Sequence, residues 1–344
     1  NMSYNRILTP RIYTDILSTN IASGWSTLTQ ASMLQDDDST AVTFDSGSKA
    51  DIFDLRPSNF ATIEADNQQF YIQIDTEFGN DALAASNYLA ILGHNFNTAD
   101  VVFKVEIDDD PAMGGPTLVS TTGNHTKVIN AAEDAAAGWI DTAFDGWTLI
   151  TWSLQTSNNR YIRITFEDDS GGSGSDFDSD IKIGSLMFGE YLDFPHSPDL
   201  SLKTTIDYDG TSLQTSAGGS TYANSAYLSP PDWAVSKPWQ TSNYPDYAFE
   251  KRSGRLYHDL KFSYITDTDL FPSNMYASLW SSNSIQSLFY NRVSGQHLPF
   301  LFCVDSESTS VGDYGMFRLA NNKFQATQVA HQVWNMNLNL VETW

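Results

Sequence analysis

Alternation of apolar and polar positions dominates the chain. Phe70, Ile72 and Ile74 alternate with Tyr71 and Gln73, a period of two that turns one side of an extended segment toward a core. Val101, Phe103, Val105 and Ile107 alternate with Val102, Lys104 and Glu106, and Ile162, Ile164 and Phe166 alternate with Tyr161, Arg163 and Thr165. Residues 181–188 predict a further apolar strand. Long polar loops, 108–115 and 168–180, lie between these segments. Short strands separated by such loops predict an antiparallel β-sandwich or jelly roll.

The character changes near residue 195, where Pro195 and Pro198 mark a candidate boundary between a domain of residues 1–195 and a domain of residues 196–344. Residues 210–247, rich in Ser, Gly, Tyr and Pro, predict an extended loop or arm, and a loop of that length usually contacts something. Leu260, Phe262 and Tyr264 then alternate with Lys261 and Ser263 as a strand. A helix is expected to start at Pro272, with Met275 and Leu279 four apart and Ile285, Leu288, Phe289 and Arg292 at the spacing of one helical face. Strands are predicted at 299–304 and 314–319. A last one places Trp334, Met336, Leu338 and Leu340 against Asn335, Asn337 and Asn339. The fold class expected is mainly all-β: a β-sandwich followed by a β-barrel or sandwich carrying one flanking helix.

Composition agrees with sheets. Of 344 residues 41% are hydrophobic and 13% aromatic, enough for folded cores. The formal charge of −24, from 18 Lys and Arg against 42 Asp and Glu, argues against phosphate-backbone binding, which depends on Lys and Arg displacing counterions. It argues equally against docking on an anionic membrane. No apolar run approaches the ~20 residues that span a bilayer. The N-terminal residues lack the charged-then-apolar pattern of a secretion signal, so synthesis in a cytoplasm is the expectation. Cys303 is the one cysteine and sits in an apolar run, as a small buried residue does. The sequon Asn124-His125-Thr126 means little without a secretory context.

Two stretches carry a resemblance. The run from Tyr88 to Phe96, with the Arg160-Tyr161-Ile162-Arg163-Ile164-Thr165-Phe166 segment and residues 181–189, is similar to discoidin-like, galactose-binding-type jelly rolls and resembles a pattern seen in phage virion proteins. Over residues 199–344, the segment from Arg255 to Phe262, the helix, Pro299-Phe300-Leu301-Phe302 and the closing strand resemble the tail-tube-like domain of distal tail and minor tail proteins of tailed phages. The resemblance implies a structural tail-tip or baseplate subunit, forming a homo-oligomeric ring, a hexamer in that family, around the tail channel. It also implies docking to tail tube, hub and tape-measure proteins and a location in the virion tail. Such families place the ring domain first, whereas here it would come second. The alternative is a glycan-binding adhesion module contacting a host surface.

The chemistry is thin. The six histidines, His94, His125, His196, His258, His297 and His331, show no metal-ligand spacing, and no H-E-x-x-H, G-x-S-x-G or phosphate-binding loop occurs. No catalytic residue and no cofactor site is expected, and His94 reads as a turn histidine after an apolar run. Acidic clusters at Asp36-Asp37-Asp38, Asp108-Asp109-Asp110 and Asp168 to Asp180 offer hard oxygens of the kind calcium prefers, without the EF-hand register; solvated loops are the simpler reading. For a sugar, Trp25, Trp139, Trp147 and Trp152 are the candidate stacking residues.

Overall fold

The structure, a computed structural model, describes residues 7–19, 30–76, 86–134, 138–153, 159–208, 211–225, 254–274 and 283–343. It is mainly antiparallel β-structure, as the alternation predicts. Among the described residues, no helix is long and apolar enough to cross a membrane.

The outer layer of the first half is a seven-stranded sheet. Its order is β10 (Ala131–Asp134), β11 (Trp139–Thr142), β7 (Val101–Asp108), β13 (Tyr161–Asp168), β5 (Phe70–Asp75) and β2 (Ala31–Gln35), with β8 (Thr117–Leu118) also on β7. Register turns the three alternating segments into rungs. Phe70, Phe166 and Phe103 share one, Ile72, Ile164 and Val105 the next, and Ile74, Ile162 and Ile107 a third. All nine side chains are buried, each contributing about 1.5–3 kcal/mol of transfer free energy. Phe70 and Phe166 stack with ring centroids 4.9 Å apart.

Facing this layer is part of an eleven-stranded sheet. It runs β16 (Lys203–Asp207), β19 (Arg255–Thr266), β23 (Val333–Glu342), β21 (Tyr314–Leu319), β20 (Phe300–Cys303), β1 (Arg11–Asp15), β15 (Ser185–Asp193), β6 (Tyr88–His94), β12 (Gly146–Trp152) and β9 (His125–Ile129), with β22 (Ala326–Ala330) on β23. Strands from both sides of residue 195 therefore belong to one sheet, with β1 paired to β15 on one side and β20 on the other. Strands β6 and β12 are buried along their whole length, which removes the alternation that half-buried strands show. Smaller sheets are β14 (Ile181–Ile183), β4 (Ala61–Ile63) and β3 (Phe44–Ser46), and the hairpin β17 (Thr211–Thr215) with β18 (Thr221–Ser225).

Three clusters of buried side chains fill the molecule. One lies between the two large sheets, with Leu89, Ile91, Trp152 and Phe188 against Ile72, Phe103 and Ile164. A second lies between β19, β20, β21 and β23 and the helical segment 285–293, which supplies Ile285, Leu288, Phe289 and Val293. A third occupies the reverse face of the large sheet: Tyr13, Tyr88, Trp147 and Leu149 meet Leu301, Cys303, Tyr314 and Met316.

Several local expectations need correction. The helical turn Asp267–Leu270 ends before Pro272, and the flanking helix is a π-helical segment, Gln286–Asn291; the expected positions Met275 and Leu279 lie outside the described residues. Tyr264, expected to face inward with Phe262, is exposed with φ +65 because a bulge between Phe262 and Ile265 shifts the phase and gives the inward position to Ile265. His94 ends a strand rather than sitting in a turn: Gly93, at φ +70, bulges out of the β6–β12 pairing. The predicted 210–247 loop begins as the β17–β18 hairpin, and residues 226–247 lie outside the described part.

Candidate functional site

The outward face of the seven-stranded sheet carries the other half of each alternating segment. Its rungs read Leu34, Tyr71, Thr165 and Lys104, then Ser32, Gln73, Arg163 and Glu106, then Asp75, Tyr161 and Asp108. Thr165, Lys104 and Glu106 are of the types a surface strand ordinarily presents; beside them the face carries the Gln73 amide, the Arg163 guanidinium, the Tyr161 ring and the Tyr71 ring, the last buried.

Those groups hold one another in place. The Arg163 guanidinium lies 4.0 Å above the centre of the Tyr71 ring, its Nε donates to Gln73 Oε1 at 2.7 Å, and Nη2 is 3.8 Å from Asp38 Oδ1. Gln73 Nε2 in turn donates to the carbonyl of Pro111 at 3.0 Å, and that fixes its amide orientation. Lys104 bridges to Glu106 at 3.3 Å and stands 5.3 Å from the centre of the Trp139 ring. Arg160 grips Asp75 with both Nε and Nη2, at 2.6 and 2.7 Å, beside the Tyr161 ring. Three cation–aromatic pairs thus sit on one face, each worth about 0.5–1 kcal/mol where exposed and more where desolvated. Burial and a hydrogen bond to Asp38 push the Tyr71 phenol up to about 12, with Arg163 opposing. Burial likewise raises Glu167 and Asp141, helped by neighbouring carboxylates.

Of the predicted tryptophans that lie among the described residues, Trp139 belongs to this face, half-buried on β11. Trp147 and Trp152 are five residues apart on β12 and point to opposite sides of it, each into a cluster. Trp147 is 1% exposed against Tyr314, and Trp152 is 0% exposed against Phe188, with its Nε1 donating to the Ser86 carbonyl. A ring without an exposed side offers no platform to a sugar. Trp25 lies outside the described residues. The structure places Trp139, Trp147 and Trp152 apart, in three different surroundings. Sequence reasoning missed Tyr71, Gln73 and Arg163 as a set, although the out-facing positions of β5 and β13 already showed rings and amides where simple solubilising residues serve.

The remaining candidates are dispersed. His94 is fully buried, stacked on Phe96 at 4.2 Å and hydrogen-bonded with Thr148 Oγ1 at 2.9 Å. His258 is buried between Phe302 and Phe317 with Thr204 Oγ1 at 3.0 Å. The acidic loops fold on themselves: Asp108 accepts the backbone N–H groups of Asp109, Asp110 and Gly115, and Asp168 accepts the Gly171 N–H and the Ser170 hydroxyl. Among the described residues, no three His, Cys, Asp or Glu are placed to hold a metal ion. Burial pushes the Cys303 thiol up to about 11, far from a reactive thiolate.

Neither a protein-family model nor a curated protein matches the chain. Among solved structures, the chain is similar to the CBM32 of AlyQ in complex with 4,5-unsaturated mannuronic acid, at 16% identity over 43% of this chain and 92% of that one, with a TM-score of 0.25. It is similar to CpGH89CBM32-4, produced by Clostridium perfringens, in complex with glcNAc-alpha-1,4-galactose, at 14% identity over 43% of this chain and 88% of that one, TM-score 0.25. A pectin binding carbohydrate binding module is similar at 13% identity over 43% and 88%, also with a TM-score of 0.25. Likenesses at these TM-scores assign no ligand to this chain.

Proposed function

We propose that the chain is a non-catalytic glycan-binding protein, and that the outward face of the seven-stranded sheet takes the sugar. One observation carries this reading: the Arg163–Tyr71–Gln73 arrangement and the Lys104–Trp139 pair are fixed in advance on neighbouring strands of a rigid sheet. The half-buried Trp139 ring supplies a face for the C–H side of a pyranose, while Arg163, held over the buried Tyr71 ring (6% exposed), and Gln73 supply planar donors and acceptors for its hydroxyls. Side chains already held by packing and hydrogen bonds lose little entropy when a ligand arrives. The carboxylates of Asp38, Glu106 and Asp141 on and around the face, within a chain of charge −24, favour neutral sugars over uronates. In this reading the chain divides near residue 195, with the glycan-binding sandwich first.

Titration of neutral and acidic oligosaccharides against the whole chain, followed by tryptophan fluorescence and calorimetry, tests it. Neutral sugars should bind, and Trp139→Ala and Arg163→Ala should each weaken binding about tenfold or more, the scale of a lost stacking or bidentate contact. Wild-type protein that binds no sugar of a broad panel would overturn the reading.

A second reading is a structural subunit of a phage tail tip or baseplate, a ring around the tail channel located in the virion. The feature favouring it is the outer edge of β16, which among the described residues pairs with β19 alone; in a ring a neighbouring strand covers such an edge. Electron microscopy of concentrated protein decides this reading, since it requires closed rings.

A further inference from the structure

Strands β17 and β18 pair with each other and with no other strand among the described residues. Their surfaces are open on both sides: Leu213 is 68% and Tyr222 64% exposed. Opposed residues of an antiparallel pair share a face, so Leu213 and Ala223 lie on one side, Gln214 and Tyr222 on the other. A lone two-stranded hairpin is at best marginally stable in water. The hairpin lacks the usual protection by sequence, since no Lys, Pro or charged residue occurs between Thr211 and Ser225. The charge-free run extends in sequence from Gly210 to Pro231, within a chain of charge −24. Two copies repel each other over most of their surfaces, and this run lets their backbones meet without opposing carboxylates.

We propose that the β17–β18 hairpin is a self-association element, in which β18 of one copy pairs antiparallel with β18 of a second copy about a two-fold axis at Ala223. The β18 edge is the one farther from charge: Asp209 stands two residues before β17, whereas Asp232 lies seven residues beyond Ser225. The pairing yields a four-stranded intermolecular sheet whose central rung is Leu213, Ala223, Ala223 of the second copy and its Leu213, a continuous apolar strip built from side chains that are exposed in the single chain. The contact is isologous and therefore closes as a dimer. It rests on neither reading in the preceding subsection.

The test is Ala223→Cys in the whole chain. Residues opposed across an antiparallel pair have Cα atoms ~4.5–5.5 Å apart, within the range a disulfide bridges, and Cys303 is 0% exposed and does not compete. Mild oxidation should convert most of the variant to a covalent dimer. Sedimentation of the unmodified chain should show a monomer–dimer equilibrium that tightens with added salt, as screening relieves repulsion. Ala223→Lys, which sets two ammonium groups across the axis, should weaken dimerisation at least tenfold and leave the melting temperature unchanged. A wild-type chain that stays monomeric at high concentration, association untouched by Ala223→Lys, or Ala223→Cys that does not crosslink would each overturn the proposal. None of these outcomes depends on whether sugar binds.

Discussion

The rings of Trp147 and Tyr314 lie 5.2 Å apart, although their strands, β12 and β21, are separated in the large sheet by β6, β15, β1 and β20. On a flat sheet strands so placed would stand ~24 Å apart at the normal inter-strand spacing. The sheet is therefore strongly coiled, and its reverse face closes on itself around the third cluster. Lys127, on β9 at the end of the sheet, extends the closure by donating its ammonium to the carbonyls of Ser306 and Ser308 at 2.6 and 2.8 Å.

Trp147→Ala should accordingly cost about 3–5 kcal/mol, the range for emptying a large aromatic from a packed core. The loss should appear in both halves of the chain, because the ring touches strands from each. Hydrogen exchange checks this. Protection should fall in β20 and β21 as well as in β6 and β12, whereas a purely local effect would leave β20 and β21 unchanged.

A second prediction concerns two glycines and one carbonyl. Gly93, at φ +70, and Gly184 approach the Pro57 carbonyl oxygen so closely that a Cβ on either would fall inside van der Waals contact with it. Backbone cannot swing aside as a flexible side chain does. Gly93→Ala adds the strain of a left-handed backbone to that clash and should destabilise by about 2–4 kcal/mol. Gly184→Ala lacks the left-handed backbone but crowds the Pro57 carbonyl carbon and the Leu92 carbonyl oxygen as well, and should cost a comparable amount. Chemical denaturation of the two variants checks this.

The strand alternation made much of this architecture legible. The three rungs of the seven-stranded sheet follow from Phe70 to Ile74, Phe103 to Ile107 and Ile162 to Phe166, because a sheet with one wet face must alternate. The same logic fails for β12, where Gly146 to Trp152 is buried on both sides; no pattern separates an inward Trp147 from a surface tryptophan when both neighbouring layers are apolar. Sheet continuity was hidden as well. Five residues, Arg11 to Asp15, link strands from the two halves through hydrogen bonds that depend on backbone position, not on side-chain type. The face bearing Arg163 was legible only in part: its residues were assigned as the polar half of each strand, while their mutual contacts depend on a register that sequence alone does not set.

A third prediction is a pH dependence. Burial pushes His94 down to about 3 and His258 down to about 4, so both are neutral in the folded chain wherever unfolded histidine, near 6.5, begins to take a proton. Unfolding then absorbs protons below pH 6.5. The stability these residues contribute is complete above that pH and is lost as pH falls toward their folded values, by about 1.4 kcal/mol per unit for each histidine. His258→Gln should lower the slope of stability against pH between 6.5 and 4 relative to wild type. An unchanged slope would show that His258 titrates normally in the folded state.

The last prediction follows from the ion pair that ties the flanking helix to the sheet. Arg292 Nη2 donates to Glu190 Oε2 at 2.9 Å, with side chains only 1% and 7% exposed. Arg292 was assigned to the apolar face of a helix by spacing, and the structure places it there, buried, with a carboxylate from β15 as its counter-charge. Burial raises Glu190 and lowers Arg292, and their mutual attraction only partly opposes this. Desolvation is therefore the larger effect, and the pair does not account for net stability. Removing one partner is a different matter, because it strands the other charge in a dry site. Arg292→Met or Glu190→Gln alone should cost about 3–5 kcal/mol, whereas the double variant should recover much of the loss, since a buried pair replaced by apolar or neutral groups is often neutral or stabilising. A double-mutant cycle by chemical denaturation measures the coupling. If the single losses simply add in the double variant, the two charges are not coupled, and contacts other than this ion pair hold the helix against the sheet.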